Sequence, residues 1–273
     1  MNNQKNNFLE EMAASSHQRV EQAMQLKSED ALLDECMSIQ NEGRRFLDTD
    51  FIFFAEIKKS SPSMGQISES SFDVMEQAKT YVENGADVIS ILTEPSKFSG
   101  SLNDLNQISS AYPRIPTMRK DFLVNPYQIS EAYLFGASGV LLIVAMLTDQ
   151  MLLKMINRAL EHQMFVLLEA FDEKDIIRAE NIFAQFENKR TKILLGINSR
   201  DLRNLEVNFS RFEELSVHLP KDMACIAESG IKDSDQIKFL SRQGYSGVLI
   251  GTSLMQSENP KQLLSDMRQA SSR

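Results

Sequence analysis

Three phrases in the chain echo one another: Gly85-Ala86-Asp87-Val88-Ile89, Gly136-Ala137-Ser138-Gly139-Val140 and Gly244-Tyr245-Ser246-Gly247-Val248. Each closes a helical pattern with a glycine, where a left-handed cap is wanted, and enters an apolar run of strand length. The same rhythm continues from residue 51 onward. Candidate strands fall at 51–57, 87–92, 115–118, 139–144, 164–169, 192–197, 223–227 and 246–250. Helical periods lie near 70–84, 101–111, 126–136, 148–162, 173–186, 208–218, 233–243 and 257–270, with Pro126 and Pro260 where a first helical turn tolerates a missing N–H. The strands are too continuously apolar to alternate, as in a parallel sheet buried on both faces. Eight consecutive βα units of this kind close into a single (β/α)8 TIM barrel of the α/β class. An open doubly wound sheet is the competing architecture, and no GxGxxG fingerprint follows any strand.

A chain of 273 residues suits one such barrel, since these folds occupy about 250 residues as a single unit. Residues 51–273 are expected to form the catalytic barrel and residues 1–50 an N-terminal helical extension packing on it. In that extension Phe8, Leu9, Met12, Val20, Met24, Leu26, Leu32, Leu33, Met37, Ile39 and Phe46 are spaced for two amphipathic helices. A break is expected near Lys27-Ser28-Glu29-Asp30, with Ser28 capping the second helix.

Composition narrows the function classes. No apolar run approaches the roughly 18 residues of a membrane span; the longest, Val140 to Leu147, is of core-strand length. With no signal-peptide core and no lipidation box, a soluble cytoplasmic protein is expected. Cys36 and Cys225 have no metal-like partner spacing and suit a reducing compartment as inert residues. The formal charge of −9 repels nucleic acid and acidic membranes, so an anionic ligand must be held by local Lys, Arg and backbone N–H groups.

Barrels of this kind carry their chemistry at the C-terminal ends of the strands. There the sequence places Glu56 and Lys58, two residues apart on one face of the first strand. It also places Arg119-Lys120-Asp121-Phe122 after the third, Glu169 at the end of the fifth, Asn198-Ser199-Arg200 after the sixth and Glu228 at the end of the seventh. Each alone reads as a structural ion pair or a cap. Together, three carboxylates and two lysines in one low-dielectric mouth drive their pKa values apart, which lets one site hold both an acid and a base. Ser229-Gly230 and Gly251-Thr252 follow the last two strands, where such barrels build phosphate sites, and Ser61 in the first loop adds a hydroxyl. The histidines at 17, 162 and 218 fall in predicted helices, away from strand ends, so no Ser-His-Asp logic or His/Cys metal cluster is available. The neighbouring lysines disfavour a carboxylate-bound metal, and no redox cofactor motif is present. Acid–base chemistry on a phosphorylated small molecule remains.

Read in order, these phrases resemble the indole-3-glycerol-phosphate synthase family. The matching stretches are Ala55-Glu56-Ile57-Lys58-Lys59 with Ser61-Pro62-Ser63-Met64-Gly65, then Ile91-Leu92-Thr93-Glu94 with Phe98, Arg119-Lys120-Asp121-Phe122, Gly196-Ile197-Asn198-Ser199-Arg200-Asp201, Ala227-Glu228-Ser229-Gly230 and Ile250-Gly251-Thr252. The resemblance covers roughly residues 51 to 260. It implies cofactor-free conversion of 1-(2-carboxyphenylamino)-1-deoxy-D-ribulose 5-phosphate to indole-3-glycerol phosphate, with loss of carbon dioxide and water, in tryptophan biosynthesis. By position it makes Lys120 the acid of ring closure and Glu169 a proton-transfer group aided by Asn198. Glu56, Lys58 and Glu228 are further catalytic positions. It makes Arg200 a carboxylate partner and Phe98, Phe122 and Leu141 the walls of the ring pocket. Ser61, Ser229, Gly230, Gly251 and Thr252 become the phosphate binders. A monomer and an association with other tryptophan-pathway enzymes both stay open. So do two other readings: a diverged paralogue acting on a substituted anthranilate adduct, and a catalytically idle barrel used as a binding subunit.

Overall fold

The computed structural model of the chain describes residues 8–39, 49–61, 65–66, 73–186, 192–201 and 205–271. Its centre is a closed parallel barrel of eight strands: β1 (Ile52–Ile57), β2 (Val88–Leu92), β3 (Thr117–Lys120), β4 (Gly139–Ile143), β5 (Phe165–Ala170), β6 (Ile193–Asn198), β7 (Cys225–Glu228) and β8 (Gly247–Ile250). Each strand pairs with its sequence neighbours, and β8 returns to β1 with Ile52 opposite Gly247 and Ala55 opposite Ile250. Around the barrel lie α3 (Val74–Glu83), α4 (Leu102–Ala111), α5 (Pro126–Leu134), α6 (Asp149–Glu161), α7 (Glu173–Phe183), α8 (Arg211–Ser216), α9 (Ser234–Arg242) and α10 (Pro260–Ser271). The expected (β/α)8 architecture is therefore the observed one. Among the described residues no helix is long and apolar enough to cross a membrane.

Local chemistry explains the joints. Gly85, Gly136 and Gly244 have φ of 95°, 84° and 93°, the positive region that side chains avoid, so the recurring glycine marks the turn from helix to strand. Pro126 opens α5 behind a capping box made by Asn125 and Gln128. Alternation along the strands sorts side chains into two cores. Phe54, Val88, Met118, Leu141, Leu167, Leu194, Ile226 and Leu249 fill the barrel, while Phe53, Ile89, Val140, Leu168, Leu195 and Val248 pack under the helices.

Several boundaries differ from expectation. The third strand is displaced toward the C-terminus and ends at Lys120, because the Pro116 carbonyl accepts from the Ile89 N–H at its start and pairing with β2 runs on to Leu92 opposite Lys120. The helices expected at 208–218 and 257–270 are shorter or shifted, and a separate turn of helix spans Thr252–Gln256. A two-stranded turn pairs Ser60–Ser61 with Gly65–Gln66 in the first loop. His17 is exposed, but His162 is not a plain surface residue. It caps α6, stacks on Tyr133 with ring centroids 4.5 Å apart, and places Nε2 2.9 Å from Ser130 Oγ. Burial and then the nearby Arg158 push its pKa down to about 4. His218 lies beyond the short α8, 3.5 Å from Glu173.

The N-terminal segment forms α1 (Phe8–Leu26) and α2 (Glu29–Ser38), with Ser28 accepting from the Ala31 N–H at the start of the second. Met12 is buried with the inner-barrel residues, so α1 lies across the mouth. Helix α2 packs on α5, where the Tyr127 hydroxyl donates to the Lys27 carbonyl at 3.0 Å. Leu26 and Met37, expected on apolar faces, are 91% and 77% exposed because each lies off the buried face of its helix, which runs through Met12, Ser16 and Val20 in α1 and Leu32 and Cys36 in α2. Phe46 lies outside the described residues.

Closure of the barrel is braced from below by Asp87. Its carboxylate accepts the Phe53 N–H at 2.9 Å and both Arg268 amino groups at 2.8 and 3.0 Å, tying β1 to α10. Loss of charge-assisted hydrogen bonds to a buried carboxylate predicts that Asp87→Ala lowers stability by about 2 kcal/mol. Urea unfolding of the two proteins measures the difference, and an unchanged midpoint would refute the bracing role.

Candidate active site

A cavity of about 730 Å³ opens at the C-terminal end of the barrel. This is the size range of small-molecule sites. Its lining includes Glu56, Lys58, Lys120, Glu169, Asn198 and Glu228 at the floor, Phe98, Phe122, Leu141 and Arg200 at the sides, and Ser229, Gly230, Gly251 and Thr252 along one rim. Fourteen of the residues singled out from the sequence thus meet in one place. The exception is Ser61, whose side chain lies outside the described residues.

The floor is an ion cluster. Lys58 Nζ donates to Glu56 Oε1 at 2.6 Å, both side chains largely buried. Lys120 Nζ lies 3.3 Å from Glu169 Oε2 and 3.6 Å from Glu228 Oε2. Strand register explains the meeting: Glu56 and Lys120 end strands on either side of β2, and Glu169 and Glu228 flank β6. Burial works against the charge on Lys120, yet Glu169, Glu228 and Glu56 outweigh it and lift its pKa above the ordinary lysine range. Burial would also raise Glu56, but Lys58, Lys120 and Arg200 overcome that and hold it below the usual carboxylate range. Glu228 goes the other way. Burial and the adjacent Glu169 push it well above the usual range, against the pull of Lys120. One cup therefore contains an ionised carboxylate, a carboxyl that favours its proton and a charged lysine, the separation that acid–base chemistry uses.

The walls are set by the loops. Glu94 accepts from the backbone N–H groups of Ser96, Lys97 and Phe98, capping a short helix that presents the Phe98 ring. That ring lies 6.0 Å from the ring of Phe122, and Phe8 of α1 meets Phe122 edge-on at 5.7 Å. The Asn198 side chain accepts from the Arg200 N–H at 2.9 Å, and the guanidinium donates to the Leu205 carbonyl at 2.8 Å, fixing the loop after β6. Ser229 and Gly230 both have positive φ, 70° and 74°, and turn the chain sharply after Glu228. Ser199 Oγ donates to the Ser229 carbonyl at 3.0 Å, and Ser253 Oγ to the Ile231 carbonyl at 2.7 Å, so the loops after β6, β7 and β8 are joined into one rim. A Cβ at Gly251 would stand 2.4 Å from Glu56 Oε1, so this glycine also makes room for the carboxylate below it.

Sequence reasoning missed Phe8, which lines the cavity from the N-terminal helix, and Asp121 as a junction. Asp121 accepts from both amino groups of Arg19 at 2.9 and 2.8 Å, from Thr93 Oγ1 at 2.8 Å and from the Phe122 N–H at 2.8 Å. Arg119 adds an ion pair at 3.3 Å. The available signal was period two: Arg119 and Asp121 alternate with Lys120, so they point away from the barrel axis, toward α1 and α5. Burial would raise Asp121, but Arg19, Arg119 and Thr93 hold it at about 2. Because the folded value lies below the ordinary 3.8, this stabilisation is full above about pH 4 and fades as pH falls through about 2. The prediction is that Asp121→Asn costs about 2 kcal/mol at neutral pH and progressively less below pH 4. Denaturant titrations at several pH values measure it, and a pH-independent difference would refute it.

Comparison with known proteins agrees with this geometry. A family model described as "Indole-3-glycerol phosphate synthase" matches residues 3–267. The indole-3-glycerol phosphate synthase of Lacticaseibacillus casei is 39% identical over 215 residues, 79% of each chain. That of Endomicrobium trichonymphae is 36% identical over 266 residues, covering 96% of this chain and 99% of its own. Among solved structures, 3-hexulose-6-phosphate synthase from Salmonella typhimurium superposes with a TM-score of 0.63 at 12% identity, over 81% of this chain and 98% of its own. Phosphoribosylanthranilate isomerase from Thermotoga maritima gives 0.54 at 14%, over 81% and 98%. At such identities these two show a shared fold alone.

Proposed function

The chain belongs to the indole-3-glycerol phosphate synthase family, and from that premise we propose how its cup carries the family's reaction. The enzyme is a carboxy-lyase of tryptophan biosynthesis that forms indole-3-glycerol phosphate from a phosphorylated small-molecule substrate. The observation that carries the residue assignment is the convergence of Lys58, Lys120, Glu56, Glu169 and Glu228 on the floor of one cavity.

The substrate's aromatic ring lies against Phe98, Phe122 and Leu141, and its phosphate against the rim of Ser229, Gly230, Gly251 and Thr252, with Ser61 from the first loop. Arg200 and Lys58 face the carboxylate, the former with a two-pronged fork suited to two oxygens. Lys120 is the general acid. It protonates the substrate carbonyl oxygen as the ring carbon bearing the carboxylate attacks that carbon. Loss of carbon dioxide returns the bonding electrons to the ring. Glu169 then takes a proton during dehydration, while Lys58 delivers one to the departing hydroxyl, and Asn198 orients the ring or the carboxylate. Glu228 holds the ribulose hydroxyls and sets the position of Lys120. Glu56 holds Lys58 in place. The idle-barrel reading is disfavoured by this cluster, because burying so many charges together is costly unless a ligand or a reaction uses them.

Lys120→Met removes one terminal charge at similar volume. It is predicted to lower kcat by roughly two to four orders of magnitude while the circular-dichroism spectrum is unchanged. Indole fluorescence during incubation with the carboxyphenylamino-ribulose phosphate measures the rate, and normal turnover by the variant would remove Lys120 from the mechanism. Inorganic phosphate is predicted to compete with substrate, and a chelator to leave the rate unaltered. Chelator inhibition reversed by a divalent metal would overturn the cofactor-free reaction.

A further inference from the structure

Most of the chain's conspicuous glycines serve backbone conformation or helix-to-strand joints, but Gly196 does neither. It lies within β6, in register with Glu169 on β5 and Ile226 on β7, and its φ is not positive. Leu194 packs inside the barrel and Leu195 and Ile197 outside it, so alternation turns position 196 toward the axis. A Cβ built there would stand 1.9 Å from Glu228 Oε1 and 3.1 Å from Glu228 Cδ. The carboxylate of Glu228 thus occupies the volume that a side chain at 196 would take. It leans across β6 from the neighbouring strand, toward Glu169 and to within 3.6 Å of Lys120 Nζ.

Few other contacts hold it there. Among the described residues no N–H or hydroxyl group donates to either Glu228 oxygen, although the side chain is 1% exposed, and besides Lys120 its close polar neighbour is the Glu169 carboxyl. Its place follows from the shape of the cavity and from the attraction of Lys120, and the shape is the missing Cβ.

Resting on the synthase reading above, we propose that Gly196 is a positioning residue for the reaction: the empty volume at its Cα is the seat of the Glu228 carboxylate beside Lys120 and Glu169. Ordinary backbone angles mean that alanine is admissible to the strand itself. The atom it meets is the far end of a flexible side chain, so the clash moves the carboxylate rather than the barrel. A larger residue at 196 therefore disturbs the acid–base cluster more than it disturbs substrate affinity. The phosphate rim and the aromatic walls, which supply much of the binding, stay where they are.

The test is a pair of mutant cycles. Gly196→Ala is expected to lower kcat at least about tenfold, to raise KM by a smaller factor than it lowers kcat, because of the substrate contacts only the one from Glu228 is displaced, and to shift the pH profile of kcat, since Glu228 no longer sits at the same distance from Lys120. In a Glu228→Asp background, where the shorter side chain withdraws from the seat, Gly196→Ala is expected to cause no further loss of kcat. In a Glu228→Ala background it is expected to leave the thermal midpoint unchanged or higher, because the new methyl fills the vacated space. Losses that multiply in the Asp background, or a kcat and pH profile unaffected by Gly196→Ala alone, would overturn the proposal. So would a fall in thermal midpoint when Gly196→Ala is added to the Glu228→Ala protein, a readout that survives even if Gly196→Ala alone fails to fold. Absence of turnover by the wild-type protein would instead sink the synthase reading, so the two failures are distinguishable.

Discussion

The site depends on the electrostatic balance at the last inward-facing layer of the barrel. Closing a parallel sheet on itself turns every second side chain toward one axis, and at the lower layers those side chains are Leu, Ile, Val, Met and Phe. At the top layer they are Glu56, Lys120, Glu169, Asn198 and Glu228. Carboxylates crowded into a dry space repel one another, and the ammonium groups of Lys58 and Lys120, with the Arg200 guanidinium, make their burial tolerable. The compromise is unequal: Glu56 is held ionised while Glu228 favours its proton. A chain with a formal charge of −9 thereby presents an anionic substrate with a cup in which Lys58, Lys120 and Arg200 face three carboxylates, one of them inclined to neutrality.

Above that layer, packing between distant segments gives the cup its walls. Phe8 reaches the aromatic wall from the N-terminal helix, and Arg19 of the same helix grips Asp121 beside Lys120. The roof and the strand end that carries Lys120 are therefore joined through one buried carboxylate with five charged or polar donors around it. The rim on the opposite side is joined in the same manner by Ser199 and Ser253, each donating to a carbonyl of the next loop. Both arrangements satisfy polar groups that burial would otherwise leave without partners.

Much of this was legible in the chain. Period, glycine caps and apolar runs located all eight strands within a few residues, because each βα unit must bury an apolar strand on both faces whatever its neighbours do. The charged residues at the strand ends were legible for the same reason, since their positions follow from where each strand stops. What could not be read were contacts between separate units. The third strand ends later than its apolar run because pairing with β2 carries it to Lys120. Leu26 and Met37 looked like core and are exposed, since only the face through Met12, Ser16 and Val20 in α1 and Leu32 and Cys36 in α2 meets the rest of the chain. Gly196 looked like one more residue in an apolar strand, and its significance lies in an atom from the adjacent strand.

By itself the sequence determined the repeating unit, its number, the inward or outward sense of each strand residue and the chemical types present at the mouth. Those follow from backbone periodicity and from local turn chemistry, which act over a few residues. Only the tertiary structure decided which acid faces which base, which carboxylate is driven up and which down, and which helix covers the opening. Those outcomes depend on separations of a few ångströms between residues as far apart in the chain as Lys120 and Glu228, and on the low dielectric that exists only once the barrel has closed.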